Sequence, residues 1–233
     1  MKSISLIIPA YNEEKRIDGT LTDYQAFARQ NYGDYEMFVV CDGCTDRTPK
    51  IVKEFCRQNP RIKLLEFPHK LGKGGGVLKG FTAAGSDVIG FVDADGAVSP
   101  EEFDKLVKAL DGADCAIASR HIMTSKILAK QSLMRRAASR GFNLLVRMVF
   151  GLPFKDTQCG AKVMKKSVVD SVLPKIMLRG YEFDVELLWK IKKSGYVIKE
   201  VPITWRHMGN STFSLKCAPR MFFNLLKVRF GMR

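Results

Sequence analysis

No stretch of this 233-residue sequence approaches the roughly 18–20 unbroken apolar residues that cross a bilayer, so a membrane span is excluded from the reading. A secretory leader is not evident either. One Lys precedes the apolar run Ile4–Pro9, which is too short for a signal core and has no small-residue cleavage site, so a cytosolic chain is expected. Linkers, low-complexity tracts and internal repeats are absent. With 46% hydrophobic and 27% charged residues, the chain is large enough to bury a real core as one domain, or one domain with an appendage. Histidine is scarce: His69, His121 and His207 stand apart, with no serine triad, which leaves little for imidazole-based catalysis. The glycine-rich run His69–Gly76 lacks the spacing of a P-loop, which argues against an ATPase of that class. The six cysteines are scattered and are expected to be reduced. Cys41 and Cys44 form a C-x-x-C, yet neither a second ligand pair nor an active-site helix start accompanies them.

The most informative absence is that of acid in the second half. Residues 1–114 carry 18 acidic and 15 basic side chains, whereas residues 115–233 carry 6 and 23, a net charge of +17. From Cys115 to Lys155, and again after Glu200, there is no Asp or Glu at all. One reading is a soluble domain with a basic face. The sharper one is a near-neutral catalytic half followed by a half that meets polyanions, such as phosphates or phospholipid headgroups. No nucleic-acid recognition motif is present, so nucleic acid is not an expected partner.

What is present alternates two periodicities. Ile4–Ala10, Tyr35–Cys41, Ile62–Phe67, Asp87–Asp93 and Cys115–Ser119 are short runs rich in Ile, Val and Phe that read as buried strands. Helical stretches lie between them, over Glu13–Arg29, Asp46–Arg57, Gly74–Ala84 and Pro100–Leu110, with Asp46 placed to cap its helix. The pattern predicts a doubly wound, mostly parallel sheet with helices on both faces, whose ligands sit at the carboxyl ends of the strands. The second half is expected to hold a long basic helix over Lys126–Phe150 and a strand over Gly160–Met164. Helices near Ser167–Leu173 and Phe183–Ser194, a last strand over Val197–Trp205 and a basic amphipathic helix over Pro219–Phe230 follow.

The chemistry gathers at those strand ends. Asp93-Ala94-Asp95-Gly96 places two carboxylates at positions i and i+2 after a buried strand, where both can face one cation. Such hard oxygen donors suit Mg²⁺ or Mn²⁺, with diphosphate oxygens completing the shell. Asp42 follows the second strand and can accept hydrogen bonds from a base or ribose, or simply serve the turn. The loop around Lys73 enters a helix whose glycines and N-terminus suit phosphate. Asp156 stands alone among arginines, as a reactive carboxylate or as an orienting ion-pair partner. Asp184 and Glu186 read either as sugar or acceptor contacts or as acids at a helix N-terminus. Trp189 and Trp205 read as core or membrane-edge residues.

Ile8-Pro9-Ala10-Tyr11-Asn12-Glu13-Glu14, Cys41-Asp42-Gly43-Cys44-Thr45-Asp46, Gly72-Lys73-Gly74 and Asp93-Ala94-Asp95 together resemble, in order and spacing, the family 2 inverting glycosyltransferases of GT-A fold. Ala118-Ser119-Arg120, Arg135–Arg140, Asp156–Gly160, Phe183–Glu186 and Glu200-Val201-Pro202 narrow the resemblance to the dolichyl-phosphate hexosyltransferase branch. Asp156-Thr157-Gln158-Cys159-Gly160 is closer to the glucosyltransferases than to the mannose synthases. The resemblance implies an enzyme that moves a hexose from a nucleotide-sugar to a dolichyl or polyprenyl phosphate, with UDP-glucose favoured as donor. GDP-mannose, or a glycan or protein acceptor, is the alternative. It assigns Pro9, Tyr11, Glu13, Val40, Asp42, Lys73, Asp93, Ala94 and Asp95 to the nucleotide-sugar, and Asp93 and Asp95 to the metal. Arg120, Arg135 and Ser139 are assigned to the acceptor phosphate, and Asp95, Asp156 and Arg120 to catalysis.

The implied organisation is one continuous GT-A domain. Residues 1–120 form its donor and metal half, and 121–233 its acceptor half with basic amphipathic helices. It would lie peripherally on an anionic, cytoplasmic membrane face. Two departures stand out: Ala97 replaces a Gln that mannose synthases offer the metal, and Gly209-Asn210-Ser211-Thr212 lacks a Lys expected at the diphosphate. Arg206, His207 and Lys216 are the candidates to replace it.

Overall fold

A computed structural model of the chain describes residues 3–128, 133–206 and 217–231, without the side chains of 133–140. Strands and helices alternate through the first half: β1 (Ile4–Ala10), α1 (Ile17–Asn31), β2 (Tyr35–Asp42), α2 (Thr48–Gln58), β3 (Ile62–Phe67), α3 (Lys73–Ala83), β4 (Val88–Val92), α4 (Pro100–Ala109) and β5 (Cys115–Ser119). The second half holds β6 (Lys126–Ile127), α5 (Leu133–Phe150), β7 (Ala161–Lys165), α6 (Lys166–Val172), α7 (Phe183–Lys193), β8 (Ile198–Pro202), β9 (Thr204–Trp205) and α8 (Ala218–Phe230).

Seven strands form one sheet in the order β3-β2-β1-β4-β7-β5-β8, and β6 pairs with β9 separately. All neighbours in the large sheet are parallel except β7, which runs antiparallel to both β4 and β5. Residues of the second half therefore sit inside the sheet of the first. The strands are apolar on both faces because helices cover both. Ile17, Leu21 and Tyr24 of α1, Val52 of α2 and Phe103 and Leu106 of α4 pack on one face. Val77 and Phe81 of α3, Val146 of α5, Val168 of α6, Leu187 of α7 and Leu225 of α8 pack on the other.

Three expectations are corrected. The first helix starts at Ile17 rather than Glu13: Arg16, at the cap position, has a non-helical φ of −128°, and Glu13 and Glu14 are tied to the loop after β2 by Thr48 Oγ1 (2.8 Å) and Asp46 Oδ2 (3.1 Å). Lys126–Phe150 is not one helix. Lys126 N–H and Leu128 N–H donate to the carbonyls of Ile203 and Trp205 (both 3.0 Å), so this stretch is strand, and among the described residues the helix spans Leu133–Phe150. Val197–Trp205 is broken after Pro202: the Ile203 N–H still donates to the Ser119 carbonyl at 3.3 Å, and from Thr204 the chain passes from β5 to β6.

Candidate active site

The carboxyl ends of β1, β2, β4 and β5 open on the same edge of the sheet, and the loops that leave them clasp one another. After β1, Asn12 adopts a left-handed conformation (φ 55°). Its Oδ1 accepts the Thr45 N–H at 2.8 Å from the loop after β2. Asp46 accepts the N–H of Thr48 at 2.9 Å, but the cap position of this helix is Arg47, so Asp46 stands one residue before the place expected of it. Lys70 Nζ lies 3.6 Å from the centre of the Tyr11 ring. Pro9 and Val40 are paired neighbours on β1 and β2, and Val40's side chain is wholly buried.

Asp42, buried at the end of β2, accepts the N–H groups of Leu71 and Gly72, the latter at 2.9 Å. It thus holds the glycine loop as well as standing at the nucleotide edge. The start of α3 is also occupied: Gly74 and Gly75 donate to the carbonyls of Gly180 (3.3 Å) and Arg179 (3.0 Å). The phosphate character expected of this helix start therefore falls to the Lys73 side chain rather than to those two N–H groups.

Asp93 and Asp95 follow β4, with the buried Ala94 between them. Lys73 Nζ sits 2.9 Å from Asp93 Oδ1. Burial alone would lower the Lys73 ammonium, but Asp93 and Asp184 outweigh it and raise it. A Cβ at Gly160 would lie 1.8 Å from Asp93 Oδ2, so only glycine on the adjoining chain leaves this carboxylate its place. Asp95 accepts the Ala97 N–H at 3.0 Å. Burial, and then repulsion from Asp93, raise its carboxyl above the ordinary range. Two hard carboxylates pressed together in this way fit a divalent cation, which would relieve the repulsion. Among the described residues no group of three or more His, Cys, Asp or Glu forms a complete metal site. The remaining donors would be water or diphosphate oxygens, in keeping with Ala97 at the departing position.

Sequence reasoning missed Arg16. Its guanidinium grips Glu13 in a bidentate pair (2.6 and 2.7 Å) and lowers the Asp95 carboxyl against the burial that raises it. Glu13 itself is raised by burial, which Arg16 only partly offsets. Arg16 Nη1 is buried without a protein partner among the described residues. A basic residue just before a helix looks like surface in a sequence, and nothing local announces that it will face Glu13 and Asp95.

From β5, Arg120 forms a bidentate pair with Asp156 (Nε–Oδ2 2.7 Å, Nη2–Oδ1 3.0 Å), and its backbone N–H donates to the same carboxylate at 3.0 Å. Glu200 fixes the partner in turn by accepting the N–H groups of Asp156 (2.8 Å) and Lys155 (3.0 Å). Burial would raise the Asp156 carboxyl, but the guanidinium prevails and holds it at about 2. The two form a buried bidentate ion pair. Arg120 also lies over Trp205, its Cζ 5.5 Å from the ring centre. The Asp93 N–H donates to the Gly160 carbonyl at 2.9 Å, which ties the turn after β4 to the segment that carries Asp156.

Arg206 N–H donates to the Ala97 carbonyl at 3.1 Å, so this candidate for the missing lysine is anchored next to Asp95. His207 and Lys216 lie outside the described residues, and so do the side chains of Arg135 and Ser139 on α5. Asp184 and Glu186 are buried rather than presented to a sugar: Glu186 accepts the N–H groups of Met177 (3.0 Å) and Leu178 (2.7 Å). Trp189 and Trp205 are buried, and all six cysteines are free.

Comparison with known proteins agrees with this geometry. The family model "Glycosyl transferase family 2" matches residues 5–173. The chain is 32% identical to the dolichyl-phosphate beta-glucosyltransferase of Saccharomyces cerevisiae, over 91% of this chain and 69% of that protein. It is 29% identical to the Dictyostelium discoideum protein of the same name, over 97% of this chain and 74% of that one. Among solved structures, glucosyl-3-phosphoglycerate synthase from Mycobacterium tuberculosis in complex with Mn²⁺, UDP-glucose and phosphoglyceric acid superposes with a TM-score of 0.73 at 18% identity. That likeness covers 100% of this chain and 81% of the synthase, and it establishes the shared fold.

Proposed function

Because the chain belongs to glycosyl transferase family 2, we propose that it transfers glucose from UDP-glucose to a dolichyl or other polyprenyl phosphate, with inversion at the anomeric carbon. The observation that carries this reading is that the turn bearing Asp93 and Asp95 is tied, by the Asp93 N–H to the Gly160 carbonyl at 2.9 Å, to the segment whose Asp156 grips Arg120 at the end of β5. Its yeast and Dictyostelium relatives, named for glucosyl transfer to dolichyl phosphate, support the choice of donor and acceptor.

The donor occupies the edge formed by residues 1–120, with Pro9, Tyr11, Glu13, Val40 and Asp42 around the nucleotide and Lys73, Asp93, Ala94 and Asp95 at the diphosphate. Asp93 and Asp95 hold Mn²⁺ or Mg²⁺, which when bound supplies Lewis-acid charge to the departing diphosphate. The M. tuberculosis synthase, which shares the fold and is in complex with Mn²⁺ and UDP-glucose, supports a divalent cation accompanying the donor. Arg16 and Arg206, anchored beside Asp95, add cationic donors on the same side.

The acceptor is a phosphate monoester with a second pKa near 6, so at neutral pH it arrives largely as the dianion. Such a nucleophile needs no strong base. That agrees with an Asp156 carboxyl held at about 2, which binds protons too weakly to take one. Arg120, with Arg135 and Ser139 from α5, holds the phosphate in line. The anomeric C–O bond to UDP breaks as a bond to the acceptor oxygen forms.

Residues 121–233 supply the acceptor side of one continuous domain. Among the described residues no helix is long and apolar enough to cross a membrane. Instead, α5 exposes Leu144, Leu145 and Met148, and α8 exposes Phe223 and Phe230. The two helices are tied by Arg229 Nε, which donates to the Val149 carbonyl at 3.1 Å. With Arg147, Lys227 and Arg229 beside them, these apolar groups form a basic surface that rests on an anionic, cytoplasmic leaflet.

Calorimetry tests the donor half. UDP-glucose should bind with Mn²⁺ present and at least about tenfold more weakly after chelation. GDP-mannose bound as tightly as UDP-glucose would overturn the choice of sugar.

A further inference from the structure

Behind the carboxylate pair runs a line of alternating charges whose inner members, Asp184 and Lys162, the reaction as described does not use. Asp93 Oδ1 meets Lys73 Nζ at 2.9 Å, and Lys73 Nζ lies 3.5 Å from Asp184 Oδ2. The other oxygen of that carboxylate, Asp184 Oδ1, accepts from Lys162 Nζ at 2.7 Å. Lys162 stands on β7, directly opposite Phe91 of β4 in the ladder, and also donates to the Cys159 carbonyl at 2.8 Å. Lys162 is fully buried and Asp184 is 1% exposed, among the rings of Phe91 and Phe183.

Stability does not explain such a pair. Two charges withdrawn from water recover their desolvation only in good geometry, and apolar residues of the same volume generally serve as well. What the pair does provide is a carboxylate with one oxygen locked by a lysine that cannot move and the other presented to Lys73. If Lys73 depended on Asp93 alone, it would lose its partner whenever Asp93 was engaged by a cation.

We propose that Lys162 and Asp184 are positioning residues for donor binding: they anchor Lys73 from behind, so that its ammonium stays at the diphosphate when Asp93 is engaged elsewhere. The proposal rests on the donor reading above. Neither residue touches substrate; both act through Lys73. The device also accounts for α7 starting where it does. Asp184 is the second residue of that helix, and Phe183 packs so closely on α3 that a Cβ at Gly74 would lie 2.4 Å from it. The two helix starts, and with them Lys73 and Asp184, are thereby held together.

The test is calorimetric binding of UDP in the presence of Mn²⁺, with thermal unfolding recorded for every protein. Wild type comes first, and its failure to bind UDP would overturn the donor reading and the proposal with it. Given wild-type binding, Asp184→Asn should weaken UDP about tenfold, the scale of one charge-assisted contact. In a Lys73→Met background, the same substitution should change affinity less than twofold. Lys162→Met combined with Asp184→Asn removes the pair without leaving an unpaired charge and decides the matter if the single variant does not fold. It too should weaken UDP about tenfold. Unfolding temperatures that fall while UDP affinity stays within twofold of wild type would make the pair structural only and overturn the proposal, leaving the donor reading intact.

Discussion

Asp95→Asn should lower the rate of sugar transfer by about a thousandfold or more, the loss of several kcal/mol of stabilisation of the departing diphosphate. The change is nearly isosteric, and the Asn oxygen can still accept the Ala97 N–H that now reaches Asp95 Oδ1 at 3.0 Å. Burial and the neighbouring Asp93 disfavour the Asp95 carboxylate in the free protein, so its loss relieves a repulsion and the fold should be retained. Initial rates beside a circular-dichroism melt separate the two effects. A variant that melts normally and transfers within tenfold of wild type would remove Asp95 from the chemistry. Asp93 differs, because its oxygen is paired with Lys73 and shielded by Gly160. Substitution there disturbs the charge line behind it as well as the site.

Arg120→Met has the second large effect, and it acts on two links at once. Asp156 is 3% exposed and would be left with an uncompensated charge. Breaking a buried pair by removing one partner costs about 3–5 kcal/mol, so a lower melting temperature is expected. Arg120→Met with Asp156→Asn removes both charges and should recover most of that stability. It should not recover transfer, which we expect to remain about a hundredfold down with UDP binding unchanged, because the lost group addresses the acceptor.

The same pair sets an acid limit on the fold. The Asp156 carboxyl is depressed to about 2 in the folded chain. Its contribution is complete above the ordinary carboxylate range and is lost as pH falls from about 4 towards 2. If the double variant regained transfer, Arg120 would be structural and the acceptor phosphate would have to be held elsewhere.

Much of this was legible in the sequence because it is local. β1, β3 and β5 fall where their apolar runs do, since strands covered by helices on both sides show as unbroken Ile, Val and Phe. Asp93 and Asp95 could be singled out as the carboxylates that follow an apolar run before a glycine, although the strand stops at Val92 and the two lie in the turn beyond it rather than on its alternation. The parts that were not legible depend on distant partners. Glu13–Arg16 looked helical, but Glu13 and Glu14 are tied into a loop by Thr48 and Asp46, more than 30 positions away. Lys126–Ile127 joined the expected helix because nothing nearby announces its pairing with Thr204–Trp205. Lys162 sits in an apolar run where a lysine normally marks the solvated side, and only the insertion of β7 between β4 and β5 buries it. Asp42 was read for what it could offer a nucleotide, and the structure adds that it holds the glycine loop.

The central claim is that this chain glucosylates a polyprenyl phosphate. The most direct measurement incubates the purified protein with Mn²⁺, labelled UDP-glucose and dolichyl phosphate in detergent, then follows label into the organic phase. The account predicts an acid-labile glucolipid that forms with UDP-glucose, disappears on chelation and is absent with Asp95→Asn. Label that stays in the aqueous phase, from protein that still binds UDP-glucose, would contradict it. The acceptor would then be something other than a lipid phosphate.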